Sequence, residues 1–289
     1  MNAHRRTGAW VTLLTQPGYL SGVRTLHASL QRSGTAFPLV VMVTDGIDAP
    51  SRQLLVDDGC VVRGVHPLRP SAGLAVSYAN ARFAEVWTKL EAWRLTDHER
   101  VVVLDADMLV RQNMDELFAV DLAPGTIAAC HACRCNPGAI PGYPASWTPA
   151  HCFYTYCRGA EHTSEPAEVD NYLNGGFLVL EPDQGVFDDM VARLAGLDDL
   201  TRYPFAEQDF LNEYYRDRWQ PLSYVYNALK TLPFQHPSVW KDSEVKNIHY
   251  IIDKPWDTPL DPADRYHALD ELWWDVATGA STGPLVTAR

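Results

Sequence analysis

The segment Arg100-Val101-Val102-Val103-Leu104-Asp105-Ala106-Asp107 constrains this chain more than any other. Its apolar run reads as a strand that ends abruptly in two carboxylates. Leu39-Val40-Val41-Met42-Val43 is a second continuous run, of the kind expected of a strand covered on both faces by helices. Around these runs the first hundred residues alternate as βαβ units do. Residues 10–15 read as a strand broken by Pro17-Gly18, and residues 19–31 as a helix carrying Leu20, Val23 and Leu30 at helical spacing. Ala49-Pro50-Ser51 opens another helix, and Cys60-Val61-Val62 with Val65 gives a third short strand. A helix is expected over about 79–95, with Phe83, Val86, Trp87, Leu90 and Trp93 on one stripe. The class is therefore α/β. Ligands of open α/β sheets gather outside the carboxyl ends of the strands, where Asp105 and Asp107 stand.

Downstream, residues 113–120 read as a short helix capped by Asn113. Residues 121–170 are rich in Pro, Gly, Cys, His and Tyr without a clear period, and read as a long irregular insertion. A strand is expected over 172–180 and helices over 182–197 and 206–215. Trp273-Trp274 near the end suits an amphipathic element that covers the core. With 46% apolar residues, 9 Trp and 13 Tyr, the chain can fill a sizeable core, which excludes disorder. The 36 acids against 24 bases give a net charge of −12 and argue against a partner bound through a nucleic-acid backbone. No stretch approaches the ~18 consecutive apolar residues of a membrane helix. The apolar run near the start is too short for a signal-peptide core, so a cytoplasmic setting is expected.

Four local patterns carry chemistry. Asp105-Ala106-Asp107 can present oxygens to one hard divalent cation, a kind of site that commonly also holds phosphates; two acids on a solvated loop is the plainer reading. In Asn247-Ile248-His249-Tyr250-Ile251-Ile252-Asp253-Lys254-Pro255-Trp256, His249 alone reads as a core histidine. Beside the carboxylate pair it becomes a third, imidazole ligand suited to a manganese-type ion, with Lys254 a point charge for a phosphate. Glu207-Gln208-Asp209 at a helix start fits the helix dipole. The paired glycines of Asn174-Gly175-Gly176-Phe177 suggest a bulge or the close approach of a ligand. Five cysteines crowd one segment, namely Cys130, Cys133, Cys135, Cys152 and Cys157, flanked by His131 and His151. They are soft enough for zinc, but the spacing is not a clean pair of C-x-x-C knuckles. Reduced thiols packed in a loop are the preferred reading, with a structural zinc the alternative.

The order of the motifs resolves them. Thr12-Leu13-Leu14-Thr15 with Tyr19, then Thr88-Lys89-Leu90, Leu104-Asp105-Ala106-Asp107, Asn174-Gly175-Gly176-Phe177, Glu207-Gln208-Asp209-Phe210-Leu211-Asn212 and His249…Lys254-Pro255-Trp256 resemble the family-8 retaining glycosyltransferases. That family includes glycogenin and the galactinol synthases, and the resemblance covers roughly residues 9–256. It implies a GT-A-type, Rossmann-like nucleotide-sugar-binding domain with a mixed, mainly parallel central sheet. One such domain would fill residues 1–289, with a nucleotide-binding half over about 9–120, a donor-sugar and acceptor half over about 121–256 and a tail over 257–289.

The resemblance also implies transfer of galactose or glucose from a UDP-sugar, with retention, to a hydroxyl acceptor such as a small polyol, a sugar or a glycan. The metal would be Mn2+ or Mg2+, held by Asp105, Asp107 and His249. Leu13, Thr15 and Tyr19 match the positions that hold the uridine, with Tyr19 stacking on the base. Ala106 lies between the two acids, and Lys89 and Lys254 match lysines near the sugar and the diphosphate. Asn174, Gly175, Glu207 and Gln208 match the surroundings of the donor hexose. No nucleic acid and no membrane span is expected, and a homodimer is allowed.

The departures are specific. Glycogenin has Asp-Gly-Gly-Asp-Gln where this chain has Pro204-Phe205-Ala206-Glu207-Gln208, so one acid is missing and another is a methylene longer. The stretch from His249 to Lys254 is one residue shorter and lacks the family's glycine. No tyrosine lies between Asn227 and His249, where glycogenin carries the one it glucosylates, so self-priming is not expected. The Cys- and Trp-containing insertion, with Cys133-x-Cys135, Trp147 and Tyr156-Cys157, is closer to galactinol synthases. The rival readings are a glycogenin-like polymer primer, a catalytically silent nucleotide-sugar-binding protein and a zinc-stapled interaction protein centred on 130–157. A silent relative would be expected to have lost part of the Asp105–Asp107–His249 set, which is complete here.

Overall fold

The computed structural model describes residues 7–71, 73–158, 161–162, 169 and 171–280. Among them the strands are β1 (Gly8–Leu14), β2 (Leu39–Val43), β3 (Val61–Gly64), β4 (Arg100–Leu104), β5 (Met108–Val110), β6 (Ile127–His131), β7 (Cys157–Arg158), β8 (Glu161–His162), β9 (Leu173–Leu180), β10 (Trp219–Leu222), β11 (Ala228–Leu229) and β12 (Asn247–His249). The helices are α1 (Leu20–Arg32), α2 (Ala49–Asp57), α3 (Gln184–Ala195), α4 (Glu207–Tyr214), α5 (Leu232–Gln235) and α6 (His267–Ala277).

The main sheet has the order β10-β6-β9-β4-β1-β2-β3. β1 runs parallel to β2 and β4, β2 to β3, and β6 to β10. β9 is antiparallel to both its neighbours, β4 and β6. This is the mixed, mainly parallel sheet anticipated from the sequence. Its inner strands β1, β2, β4, β6 and β9 are mostly apolar because both faces are covered, whereas the edge strands β3 and β10 are partly exposed. Val11, Val101 and Val103 pack on one side with Trp87, Leu90 and Trp93. Trp10, Val102 and Leu104 pack on the other with Val23, Leu26 and Leu30 of α1. Neighbouring residues in a strand thus serve opposite cores, as a period of two requires.

A smaller sheet of order β11-β12-β5 grows out of the end of β4. β12 pairs antiparallel with β5, with His249 opposite Met108, and Tyr250 N donates to Asp107 O at 2.8 Å. This register sets a residue from position 249 against the turn at 105–107. A third apolar cluster gathers beneath α6, including Trp273, Leu272, Tyr250 and Ile248. The C-terminal Trp pair therefore covers core as expected. Gly22 of α1 allows the close approach: a Cβ there would lie 2.6 Å from Ala106 O and 2.7 Å from the Trp256 ring.

Three expectations need correction. The stretch expected as one α-helix over 79–95 forms two 3-10 segments, Ala81–Ala84 and Val86–Arg94. Trp87 through Trp93 are all buried, more than a single α-helical stripe can serve. Threefold winding aligns Trp87, Leu90 and Trp93 in one row toward the core and Val86 and Lys89 in another. The helix expected over 113–120 is a 3-10 turn, Asp115–Ala119, with Met114 rather than Asn113 at its N-cap; Asn113 Oδ1, one residue earlier, accepts from Asp115 N at 2.9 Å. The supposedly irregular 121–170 contains β6, a buried strand of the main sheet. Its Ile127-Ala128-Ala129-Cys130-His131 sequence has only one β-branched residue, so burial rather than propensity makes it a strand.

Candidate active site

A cleft of about 570 Å³ opens at the carboxyl end of β4, within the size range of small-molecule sites. Leu13, Thr15, Tyr19, Lys89, Asp105, Ala106, Asp107, Asn174, Glu207, Gln208, His249 and Lys254 all line it. Of the site residues expected from sequence, Gly175 alone lies behind the wall. Its carbonyl accepts from Lys89 Nζ at 3.0 Å, and its N–H donates to Gln208 Oε1 at 3.0 Å. Its neighbour Gly176 lines the cleft instead.

The centre is a set of interlocked charges. Each aspartate gives one oxygen to a lysine: Asp105 Oδ1 is 2.8 Å from Lys89 Nζ, and Asp107 Oδ2 pairs with Lys254. The other oxygens turn toward one imidazole. His249 Nε2 is 3.3 Å from Asp107 Oδ1 and 3.8 Å from Asp105 Oδ2. His249 Nδ1 is 2.8 Å from Asn227 Oδ1, and Asn227 Nδ2 donates to Asn174 Oδ1 at 2.9 Å. This chain leaves Asn227 Oδ1 as an acceptor, so Nδ1 carries the proton and the Nε2 lone pair faces the two carboxylates. Two oxygens and a bare nitrogen converging on one point form a donor set for a cation. One ligand atom from each of Asp105, Asp107 and His249 lies within 4.8 Å of the others. The cluster needs Gly176, where a Cβ would come 2.6 Å from His249 Cε1 and 2.8 Å from Asp105 Oδ2.

Burial alone would raise the Asp107 pKa, but the Lys254 ammonium paired with it holds it well below the carboxylate range. Lys89 is buried too, yet Asp105 and Glu207 keep it charged and raise it above its ordinary value. Glu207 Oε1 sits 2.7 Å from Lys89 Nζ. Burial, helped by the Asp105 charge and opposed by Lys89, pushes the Glu207 carboxyl up to about 7. It opens α4, and Ala206 before it has φ +48°.

Tyr19 meets Trp256 edge-on at 5.5 Å and accepts from Arg82 Nη1 at 3.2 Å. The opposite wall was not read from sequence as a unit. Trp147 stacks on Phe205 at 4.4 Å, Tyr143 meets Phe205 edge-on at 5.0 Å, and all three line the cleft. Asn227 was also missed, since a single Asn has no motif; its signal is geometric alone.

Comparison with known proteins follows the same lines. The model of "Glycosyl transferase family 8" matches residues 11–259. The chain belongs to glycosyltransferase family 8. Galactinol synthase 7 of Arabidopsis thaliana is 31% identical over 280 residues, covering 93% of this chain and 81% of the relative. Galactinol synthase 2 of Solanum lycopersicum is 30% identical over 282 residues, covering 93% and 79%. Among solved structures, an active-site mutant of LgtC aligns with a TM-score of 0.65 at 17% identity, covering 94% of this chain and 95% of that one. The galactosyltransferase LgtC in complex with donor and acceptor sugar analogs aligns with a TM-score of 0.61 at 17% identity, covering 97% of each chain. The fold is of the GT-A type and the protein is a glycosyltransferase. Among the described residues no helix is long and apolar enough to cross a membrane.

Proposed function

We propose that the protein transfers galactose from UDP-galactose to a hydroxyl of a small polyol such as inositol, with retention at the anomeric carbon. The carrying observation is the convergence of Asp105 Oδ2, Asp107 Oδ1 and the His249 Nε2 lone pair on one point in the cleft. That donor set fits Mn2+ or Mg2+, which when bound neutralises diphosphate charge and so eases departure of UDP. The galactosyl donor and the polyol acceptor are supported by the galactinol synthases that resemble the chain over 93% of its length.

In the transfer the acceptor oxygen bonds to the sugar's C1 as the C1–O bond to the diphosphate breaks. The bonding pair goes to the diphosphate, and the hydroxyl proton leaves with it. Lys254 and Lys89 are positioned to offset the negative charge that develops. Leu13, Thr15 and Tyr19 hold the uridine, with Tyr19 against the base. Asn174, Gly175 and Gln208 surround the hexose. Glu207, when ionised, stabilises positive charge on the sugar ring. Trp147, Phe205 and Tyr143 offer an apolar wall to the C–H face of a polyol or sugar.

The test is product identity. UDP-galactose and UDP-glucose are each incubated with Mn2+ and a panel of inositol, simple sugars and glycans, and the product linkage is read by NMR. An α-galactosylated polyol is expected. Preferential glucosyl transfer, or an inverted β-linkage, would overturn the reading.

A further inference from the structure

A second ligand cluster lies in the opposite wall. Cys133, Cys135, Cys152 and His236 are all buried, and one ligand atom from each lies within 4.8 Å of the others. His236 Nε2 stands 3.5 Å from Cys133 Sγ, 3.3 Å from Cys135 Sγ and 3.5 Å from Cys152 Sγ. Cys152 Sγ is 3.8 Å from Cys133 Sγ. A tetrahedral zinc ion with Zn–S of about 2.3 Å and Zn–N of about 2.0–2.1 Å has S···S edges of about 3.8 Å and S···N edges of about 3.5 Å. The four separations match those edges. A disulfide would need its sulfurs at about 2.05 Å, and none of these three cysteines is in one.

The set differs from the one the sequence suggested. His131 stacks on Phe153 at 3.5 Å and bonds Asn171, and His151 bonds Thr148 Oγ1. Cys130 Sγ donates to Ser223 O, and Cys157 Sγ to Phe153 O. The histidine comes instead from the end of α5. The surroundings suit thiolates as well. Arg134 N–H donates to Cys152 Sγ at 3.4 Å. The Gln235 side-chain amide is 3.1 Å from Cys133 Sγ, and turned over it would present an N–H to a thiolate.

We propose that Cys133, Cys135, Cys152 and His236 bind one structural Zn2+. Four protein ligands leave no open position, so the ion would hold structure rather than activate water. It would tie three separate segments together: the chain leaving β6, the turn before Phe153 and the end of α5. Cys133, Cys135 and Gln235 line the cleft, so the same ion would fix the wall that faces the acceptor. That last consequence rests on the proposed function; the zinc site does not.

The test begins with elemental analysis of the full chain, purified without added metal from cells grown with zinc. About one zinc per chain is expected. Cys135→Ser and His236→Ala should lose most of it and melt at lower temperature. Should those variants fail to fold, the wild-type chain loaded with Co2+ gives an independent reading. Three thiolates predict an intense near-ultraviolet thiolate-to-cobalt band, which the Asp105–Asp107–His249 set cannot produce. Asp107→Ala should keep zinc and band alike, so loss of sugar transfer and loss of zinc can be told apart. Zinc well below stoichiometric, a cobalt complex without that band, or a Cys133–Cys152 disulfide in the purified chain would each overturn the proposal.

Discussion

The cleft has two walls built on different principles. The Asp105–Asp107 wall stands on the end of a buried parallel strand and a short antiparallel pairing, and its groups are held by backbone register. The wall of Cys133, Trp147 and Gln235 draws on irregular chain segments and the one-turn helix α5, tied largely by side chains. The first wall comes from regular secondary structure, whose geometry is fixed by backbone hydrogen bonds. The second is free to vary, and in a glycosyltransferase that freedom suits the side that selects an acceptor.

The contrast can be broken in several ways. The largest effect is expected for Asp107→Ala. It should lower the transfer rate by roughly a thousandfold or more, about 4 kcal/mol of transition-state stabilisation, with the circular dichroism spectrum unchanged. A rate within tenfold of wild type would remove the strand-end wall from the chemistry. Trp147→Ala probes the other wall. Loss of the ring stacked on Phe205 should raise the acceptor KM about tenfold, or ~1.4 kcal/mol, and leave the donor KM as it was. An equal rise in both would mean that the two walls do not divide the substrates.

Glu207 tests the boundary between the walls through pH. Its carboxyl is raised to about 7, so it gains a proton as the pH falls through neutrality. If its negative charge supports the reacting sugar, kcat should fall on the acid side with an apparent pKa near 7. Glu207→Gln should be slower throughout and lack that limb; a limb that persists would assign it to another group. The sign for stability is opposite to that of a depressed carboxylate. The folded state holds this proton more tightly than the unfolded one, so the contribution is full below about 4.5 and is lost as pH rises toward 7. The smallest effect is expected at Ala206, whose φ of +48° is costly for a residue with a Cβ. Ala206→Gly should stabilise the chain by about 1 kcal/mol in denaturant unfolding, and no gain would mean that the turn carries no strain.

The difference between the walls also explains what the sequence disclosed. Asp105 and Asp107 are two residues apart at the end of an apolar run, so their chemistry is written locally. His249 was legible once paired with them and with the motif order. Of the proposed zinc set, Cys133, Cys135 and Cys152 were legible as soft ligands, but its histidine was not, because Cys133 and His236 are 103 positions apart and nothing near His236 marks it as a ligand. Asn227 was invisible for the same reason. β6 was missed because alanines and a cysteine give no strand signal until burial is known. The 79–95 segment was read with the wrong winding because periodicity cannot tell three residues per turn from 3.6 over so short a span. Gly175 and Gly176 were seen as a place of close approach, and the structure shows what approaches Gly176: a histidine ring and a carboxylate.

The central claim is that the point between Asp105, Asp107 and His249 drives departure of UDP when a divalent cation occupies it. The direct measurement is UDP release from UDP-galactose in the presence of inositol, before and after chelation with EDTA and again after Mn2+ is restored. The account predicts that chelation reduces release to background, that Mn2+ recovers it, and that Asp107→Ala does not respond. Undiminished release after complete removal of divalent metal would contradict it.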